Sequence, residues 1–163
     1  MSFLFFLLST ANAFDINIDK YKTNNVWYNK VPKVIVCDDS PVTVEQVENA
    51  ANEWNKKEKR IGLVRKEFHG ECDDKHEKGY TLIMGDRDDL DSDKYHAITI
   101  RWYDHKSTKD YQIVNSAFVE IDPTTISARP NDVHKLLTHE LGHALGYQHI
   151  HIKNDIMIPG VMK

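Results

Sequence analysis

Three histidines at fixed spacing, with one glutamate among them, are the residues of this chain best suited to bind a metal ion. Residues 139–149 read His-Glu-Leu-Gly-His-Ala-Leu-Gly-Tyr-Gln-His. On a helix, His139 and His143 lie on the same face, one turn apart. Their imidazoles can bind one Zn²⁺, and His149 can supply a third nitrogen after the chain has turned. The spacing therefore predicts a zinc site with three protein ligands and one open position, which is the arrangement of a catalytic zinc.

Two other residues of this stretch support the same interpretation. Glu140 adjoins the first ligand and can act as a general base toward a metal-activated water. Gly146 lets the chain leave the helix with a positive φ, which costs a residue with a Cβ more. The alternative is a polar helix end whose histidines are four residues apart by chance. The short His-Glu-x-x-His pattern would leave that alternative open, but the extended pattern fixes five positions in eleven.

The extended pattern resembles that of the metzincins, a clan of zinc endopeptidases that also have a downstream methionine turn. The matching positions are His139, Glu140, His143, Gly146 and His149. Ile-Met-Ile-Pro at 156–159 follows at a spacing most similar to the matrixin (matrix-metalloprotease-like) branch. The resemblance implies that Met157 forms the apolar floor of the zinc site. The alternatives are an ordinary core methionine and a floor formed by Met162 instead.

The secondary-structure pattern predicts an α/β (α+β) domain. We expect strands at 31–37, 61–68, 80–84, 96–103 and 116–122, from their β-branched and apolar content. A capping box of Thr43 and Gln46 begins a first helix, in which apolar residues repeat at helical spacing. Asn131 or Asp132 caps a second, long helix that carries the histidine pair. The order resembles the metzincin fold, which implies a twisted, mostly parallel five-stranded sheet with two main helices.

The resemblance also gives the segment 96–103 a role. In metzincins an edge strand lies above the zinc and binds the extended backbone of a protein or peptide substrate. Residues 96–103 are the candidate, and 111–115 could contribute; an ordinary strand with no exposed edge is the alternative. The chain stops at Lys163, soon after the methionine turn. We therefore expect a very short C-terminal subdomain and a shallow pocket with little side-chain preference.

The N-terminus predicts export. The apolar run at 3–8 is followed by Ala11-Asn12-Ala13, which is typical of a signal-peptide cleavage site, and the run is too short to span a bilayer. We interpret 1–13 as a signal peptide and 14–163 as the catalytic domain of a secreted, extracellular or periplasmic protein. A buried N-terminal segment is the alternative.

Two cysteines, Cys37 and Cys72, are consistent with export, and we favour a disulfide between them. The alternative is a latency cysteine that binds the zinc. Matrixins carry such a cysteine in a propeptide motif, and neither cysteine here has the neighbours of that motif.

The acidic segment 86–93 contains five aspartates in eight residues. Calcium prefers such oxygen clusters, and matrixin-like enzymes often bind it, so Ca²⁺ is a second cofactor to consider. No EF-hand spacing is present, and a solvated loop is the favoured interpretation. The remaining histidines are expected to be surface or satisfied groups, with His151 a candidate neighbour of the zinc site.

Composition limits the classes of function. A chain of 163 residues with a formal net charge of −4 fits one domain, here expected to be a monomer, and offers no basic surface for nucleic acid. The sequence thus predicts a zinc endopeptidase that acts on extended peptides. The alternative is a catalytically weak or inactive, zinc-stabilised binding module. A zinc aminopeptidase would need a group that holds the substrate's free amine, and we identify none.

Overall fold

The computed structural model describes residues 14–21, 23–29, 31–57, 60–73, 78–85 and 95–160. Within these ranges the chain forms one sheet of six strands and three α-helices. The strands are β1 (Asn25–Trp27), β2 (Lys33–Val36), β3 (Val64–Lys66), β4 (Tyr80–Gly85), β5 (Ala97–Tyr103) and β6 (Gln112–Ile121). The helices are α1 (Val44–Asn55), α2 (Pro123–Ala128) and α3 (Val133–Ala144). The predicted α/β class is confirmed.

The sheet is mostly parallel, as predicted. Its strand order is β1-β6-β4-β2-β3, and every neighbouring pair in that path runs parallel. The strand β5 alone is antiparallel, and it pairs with β6 from Ala97↔Ile121 to Tyr103↔Val114. Since β1 and β4 occupy the opposite edge of β6, the second edge of β5 faces away from the sheet and pairs with no other described strand.

The helices α1 and α3 cover one face of the sheet. Thr43 caps α1 in the predicted capping box. Its side chain accepts from Gln46 N–H, and the Gln46 side chain accepts from Thr43 N–H. Trp54 near the end of α1 is 1 % exposed, and its Nε1 donates to the carbonyl of Thr138 in α3 at 2.8 Å. The apolar sides of both helices join the strand residues Val34, Val36, Ile83, Val119 and Ile121 in the largest core cluster. This layer fixes α3, which carries the histidines, against the sheet.

The opposite face of the sheet has a smaller apolar cluster that contains the disulfide. Cys37 follows β2, Cys72 lies in a short 3₁₀ turn, and the two form the predicted disulfide bond. The two cysteines form one apolar cluster with Ile35, Leu82 and Phe118. A disulfide is compatible with an oxidising compartment outside the cytoplasm. Neither cysteine therefore has a free thiol for a latency role.

Several elements differ from the sequence prediction. The sheet has six described strands instead of five. The sequence prediction missed β1, because this strand is only three residues long. The short helix α2 was missed, although Asp122 caps it and Pro123 begins it. β6 starts at Gln112, so the segment 111–115 belongs mainly to this central strand and not to the edge. Asp132 does precede α3, but its side chain makes no capping hydrogen bond.

Some predictions fall outside the described residues. They concern the signal peptide at 1–13, the acidic segment 86–93, His76 and Met162. In the part of the chain that the structure describes, every helix is too short or too polar to cross a membrane.

Candidate metal centre

The helix α3 and the turn after it bring the three histidines together. His139 and His143 lie one turn apart in α3, with 3.1 Å between their Nε2 atoms. The helix ends in a Schellman motif, in which Tyr147 N–H donates to Gly142 O and Gly146 N–H donates to His143 O. Gly146 has a φ of 106°, as the sequence predicted for a glycine here. The reversed chain then carries His149 back toward the helix.

The three imidazoles converge on one point. The Nε2 atom of His149 lies 3.1 Å from that of His139 and 3.1 Å from that of His143. Nitrogen ligands of a tetrahedral zinc lie about 3.3 Å apart, given zinc–nitrogen bonds of about 2.0–2.1 Å. The spacing of the donor atoms therefore fits a metal ion of this size, and the three histidines could hold one.

Backbone carbonyls fix the orientation of two of the rings. Nδ1 of His139 donates to the carbonyl oxygen of Ile156 at 2.6 Å, and Nδ1 of His143 donates to that of Tyr147 at 2.8 Å. A carbonyl can only accept, so each Nδ1 carries the hydrogen and each Nε2 of the neutral ring presents a lone pair. This is the outer hydrogen bonding that metal-binding histidines commonly have.

Burial keeps the imidazoles neutral. It lowers the pKa of His139, and together with the neighbouring His139 it lowers the pKa of His143 to about 3. Burial and then His139 also lower the pKa of His149, the most exposed of the three. Converging lone pairs on neutral rings repel one another unless a cation lies between them. The neutral state of the three imidazoles is therefore consistent with metal binding, as is the spacing of their Nε2 atoms.

Glu140 lies beside the histidines and contacts the strand β5. Its carboxylate Oε2 accepts a 2.5 Å hydrogen bond from Thr99 Oγ1, and the residue is 6 % exposed. Burial raises the pKa of Glu140 to about 7, although the bond from Thr99 acts in the opposite direction. Glu140 is not part of the histidine cluster in which all donor atoms lie within 4.8 Å of one another. Its position is that of a neighbour of the site and not of a fourth ligand.

A second side chain of β5 also reaches α3. Arg101 Nη1 donates to the carbonyl oxygen of His143 at 2.9 Å. Thr99 and Arg101 are two residues apart and therefore face the same side of the strand. The guanidinium also places positive charge at the C-terminal end of α3, where it is favourable. These two contacts fix the distance between the strand β5 and the histidine-bearing helix.

Met157 lies under the helix α3. It is fully buried, and its Sδ is so close to Gly142 that a Cβ at that position would overlap it. Trp54 contacts the same side of Gly142. Gly142 lies between the two helical histidines in the sequence, so the Met157 side chain packs against α3 next to them.

A cleft of about 440 Å³ runs between β5 and α3. Its walls include Ala97, Thr99, Arg101, Leu136 and the three histidines, together with Glu140. The predicted segment 96–103 therefore does border the histidine cluster. The three histidines and Glu140 open on this cleft.

Comparisons of the chain with protein-family models, with curated proteins and with solved structures found no match.

The structure assigns the other histidines to different surroundings. His151 is exposed, and its charge contributes to the lowered pKa of His149. His96 lines the cleft, with Nδ1 3.0 Å from Thr125 Oγ1. The other described histidines, His69, His105 and His134, are exposed or half-buried.

Sequence analysis missed four residues at or next to this site, namely Thr99, Arg101, Gly142 and Asp155, whose carboxylate accepts a hydrogen bond from Met157 N–H at 2.8 Å. Only Gly142 gave a signal, because a glycine inside a helix is unfavourable and often marks close packing. The other three make contacts with residues that are distant along the chain, and these contacts have no local pattern.

Proposed function

We propose that this protein is a secreted, zinc-dependent endopeptidase of metzincin type, most similar to the matrixin branch. The observation that carries the proposal is the convergence of three imidazole Nε2 atoms, 3.1 Å apart, beside a buried glutamate in an open cleft. Three histidine ligands with one open position are typical of catalytic zinc. The match of five motif positions and of Met157 supports the same reaction class.

Zinc bound by the histidines would supply Lewis-acid chemistry, which polarises a carbonyl group and makes water more acidic. Glu140 acts as the general base that takes the proton from the attacking water, and it then transfers this proton to the leaving amine. The hydrogen bond from Thr99 engages Oε2 and orients the carboxylate, so that Oε1 remains for proton transfer. The site therefore separates metal binding, by the imidazoles, from proton transfer, by Glu140.

The edge of β5 that pairs with no described strand is the proposed binding surface for the substrate backbone. A peptide in extended form adds to such an edge through main-chain hydrogen bonds, which depend little on the side chains of the peptide. The edge borders the cleft that contains the histidines and Glu140. The walls of the cleft come from a single chain, so a monomer is sufficient for this function. A protein or peptide substrate held in this way would have its scissile bond near the metal.

The substitution Glu140→Gln tests the proposal. It preserves the shape of the side chain and removes the base, so zinc content should stay at one equivalent while cleavage of a quenched peptide falls by a factor of about 10²–10⁴. Glu48→Gln, at an exposed position of α1, is the matched control and should cleave at the parent rate. His143→Ala should lose both zinc and cleavage. Parent-like cleavage by Glu140→Gln would show that the assigned base is wrong.

A second candidate function is a zinc-stabilised, secreted binding module that hydrolyses little or nothing. The observation that favours it is the burial of Glu140 and its short bond to Thr99, which could also serve structure alone. Inhibition of peptide cleavage by a hydroxamate or by phenanthroline supports the enzyme. A parent protein that binds one zinc and stabilises on binding, yet cleaves no peptide, supports the module.

A further inference from the structure

The segment 154–157 connects the metal centre to the N-terminal part of the described chain. The backbone of Ile156 makes one hydrogen bond to each of these two parts. Its carbonyl oxygen accepts from Nδ1 of His139 at 2.6 Å, and its N–H donates to the carbonyl of Asp15 at 2.8 Å. Asp15 N–H in turn donates to Asn154 O at 2.8 Å. Ile156 therefore links His139, a candidate metal ligand, directly to the N-terminal segment.

The carboxylate of Asp155 joins the same two parts of the chain. It is 1 % exposed, and it accepts three hydrogen bonds within the described residues. Tyr21 Oη donates to Oδ1 at 2.7 Å, and Asn17 Nδ2 donates to Oδ2 at 2.7 Å. Met157 N–H donates to Oδ1 at 2.8 Å. The carboxylate thus fixes the backbone on the C-terminal side of Ile156, while Asp15 fixes its amide.

We propose that Asp155, Asn17 and Tyr21 are positioning residues of the metal centre. They hold the Ile156 carbonyl in the place where it orients the His139 ring, and so set the affinity of the site for its metal. The physical reason is that the Nδ1 partner of a ligating histidine determines the direction of its Nε2 lone pair. The inference rests on metal binding by the three histidines, which is part of the proposed function, and does not require peptide hydrolysis.

Two substitutions in the full-length chain test this inference. Asp155→Asn keeps the size of the side chain and removes its charge, so the three hydrogen bonds are weaker, and its Nδ2 faces the Asn17 amide, which must turn over to accept from it. Tyr21→Phe removes only the hydroxyl, because the ring keeps its contacts with Trp54 and Tyr147 at centroid distances of 5.9 Å and 4.9 Å. The matched control is Ile35→Val, a truncation in the cluster on the opposite face of the sheet.

The measurements are the Zn²⁺ affinity, by competition with a chromogenic chelator, and the visible absorption spectrum of the Co²⁺-loaded protein. We expect Asp155→Asn to weaken zinc binding about tenfold or more, as is common for partners of metal ligands, and to change the Co²⁺ spectrum. Tyr21→Phe should weaken zinc binding less, and the double variant should lose less affinity than the sum of the two single losses, because both substitutions act on the same hydrogen bond. Ile35→Val should keep the affinity and the spectrum of the parent, although it loses some stability.

Parent-like zinc affinity and an unchanged Co²⁺ spectrum in Tyr21→Phe and in any folded Asp155→Asn protein would overturn the inference. An equal loss of affinity in Ile35→Val would also overturn it, because the effect would then follow general stability. The proposed function fails separately, when a zinc-loaded parent cleaves no peptide. In that case the affinity and spectral differences still decide whether these residues position the site.

Discussion

Alanine in place of Gly142 places a methyl group where α3 packs tightly on Met157 and Trp54, beside the histidine cluster. A Cβ there would overlap Met157 Sδ and lie 2.6 Å from Cζ2 and 3.1 Å from Cη2 of Trp54. Met157 has a flexible side chain and can move. Trp54 cannot move readily, because its Nε1 is bonded to Thr138 O at 2.8 Å and its ring stacks on Tyr147 at 5.2 Å. The backbone of α3 must therefore shift, or the tryptophan must lose this bond.

Two effects of opposite sign decide the stability of this variant. Alanine is more favourable than glycine in a helix interior by about 1 kcal/mol. Overpacking of a tight core typically costs about 1–3 kcal/mol. Because a rigid ring lies within 3 Å of the new methyl group, we expect the upper part of that range to apply. The free energy of unfolding should then fall by about 1–2 kcal/mol, the difference between the two effects.

Urea unfolding of the metal-free protein measures this change without a contribution from metal binding. The control is Asn49→Ala, on the exposed side of α1, where alanine gains helix propensity and meets no packed neighbour. We expect Asn49→Ala to be slightly more stable than the parent and Gly142→Ala to be less stable. A Gly142→Ala protein at least as stable as the parent would refute the reasoning from packing.

Three further predictions concern the disulfide, the strand β5 and acid stability. Replacing Cys37 and Cys72 together by alanine releases a loop with a sequence separation of 35, so the free energy of unfolding in urea should fall by about 4 kcal/mol. An unchanged urea midpoint would contradict this. Thr99→Val should lower kcat for peptide cleavage about tenfold while KM and zinc content stay constant, and Thr99→Ser should keep the kcat of the parent. Equal kcat values in the parent, Thr99→Val and Thr99→Ser would show that the hydroxyl does not orient Glu140. Burial of Asp122 raises its pKa, but bonds from Thr124 and Thr125 outweigh this and hold the pKa below its usual range. The stabilisation by Asp122 is therefore present above about pH 3.9 and is lost as pH falls through the lower pKa of the folded state. Urea unfolding of the metal-free protein should accordingly show that the difference in free energy of unfolding between the parent and Asp122→Asn becomes smaller from pH 7 to pH 2. A difference that stays constant over this pH range would exclude the ionised carboxylate as its source.

Elements with strong local patterns could be predicted from the sequence. The capping box at Thr43, the helix that carries the histidine pair and the turn at Gly146 depend on neighbours within a few residues. The strands β2, β4 and β5 were found close to their observed bounds for the same reason. By contrast, β1 is three residues long, and its pairing with the start of β6 comes only from the assembled sheet. Short elements of this kind carry too few residues to show a period.

The sequence by itself determined that His139 and His143 share one face of a helix, that Glu140 adjoins the first of them, and that the chain can turn back toward them after Gly146. It could not determine which groups orient these side chains. Thr99 meets Glu140 across 41 residues, and Tyr21 meets Asp155 across 134. Only the packing of α3 between the sheet and the segment 154–157 creates these contacts. A helical period is a local property of the chain, whereas a hydrogen bond between distant segments exists only after the fold has brought its two ends together.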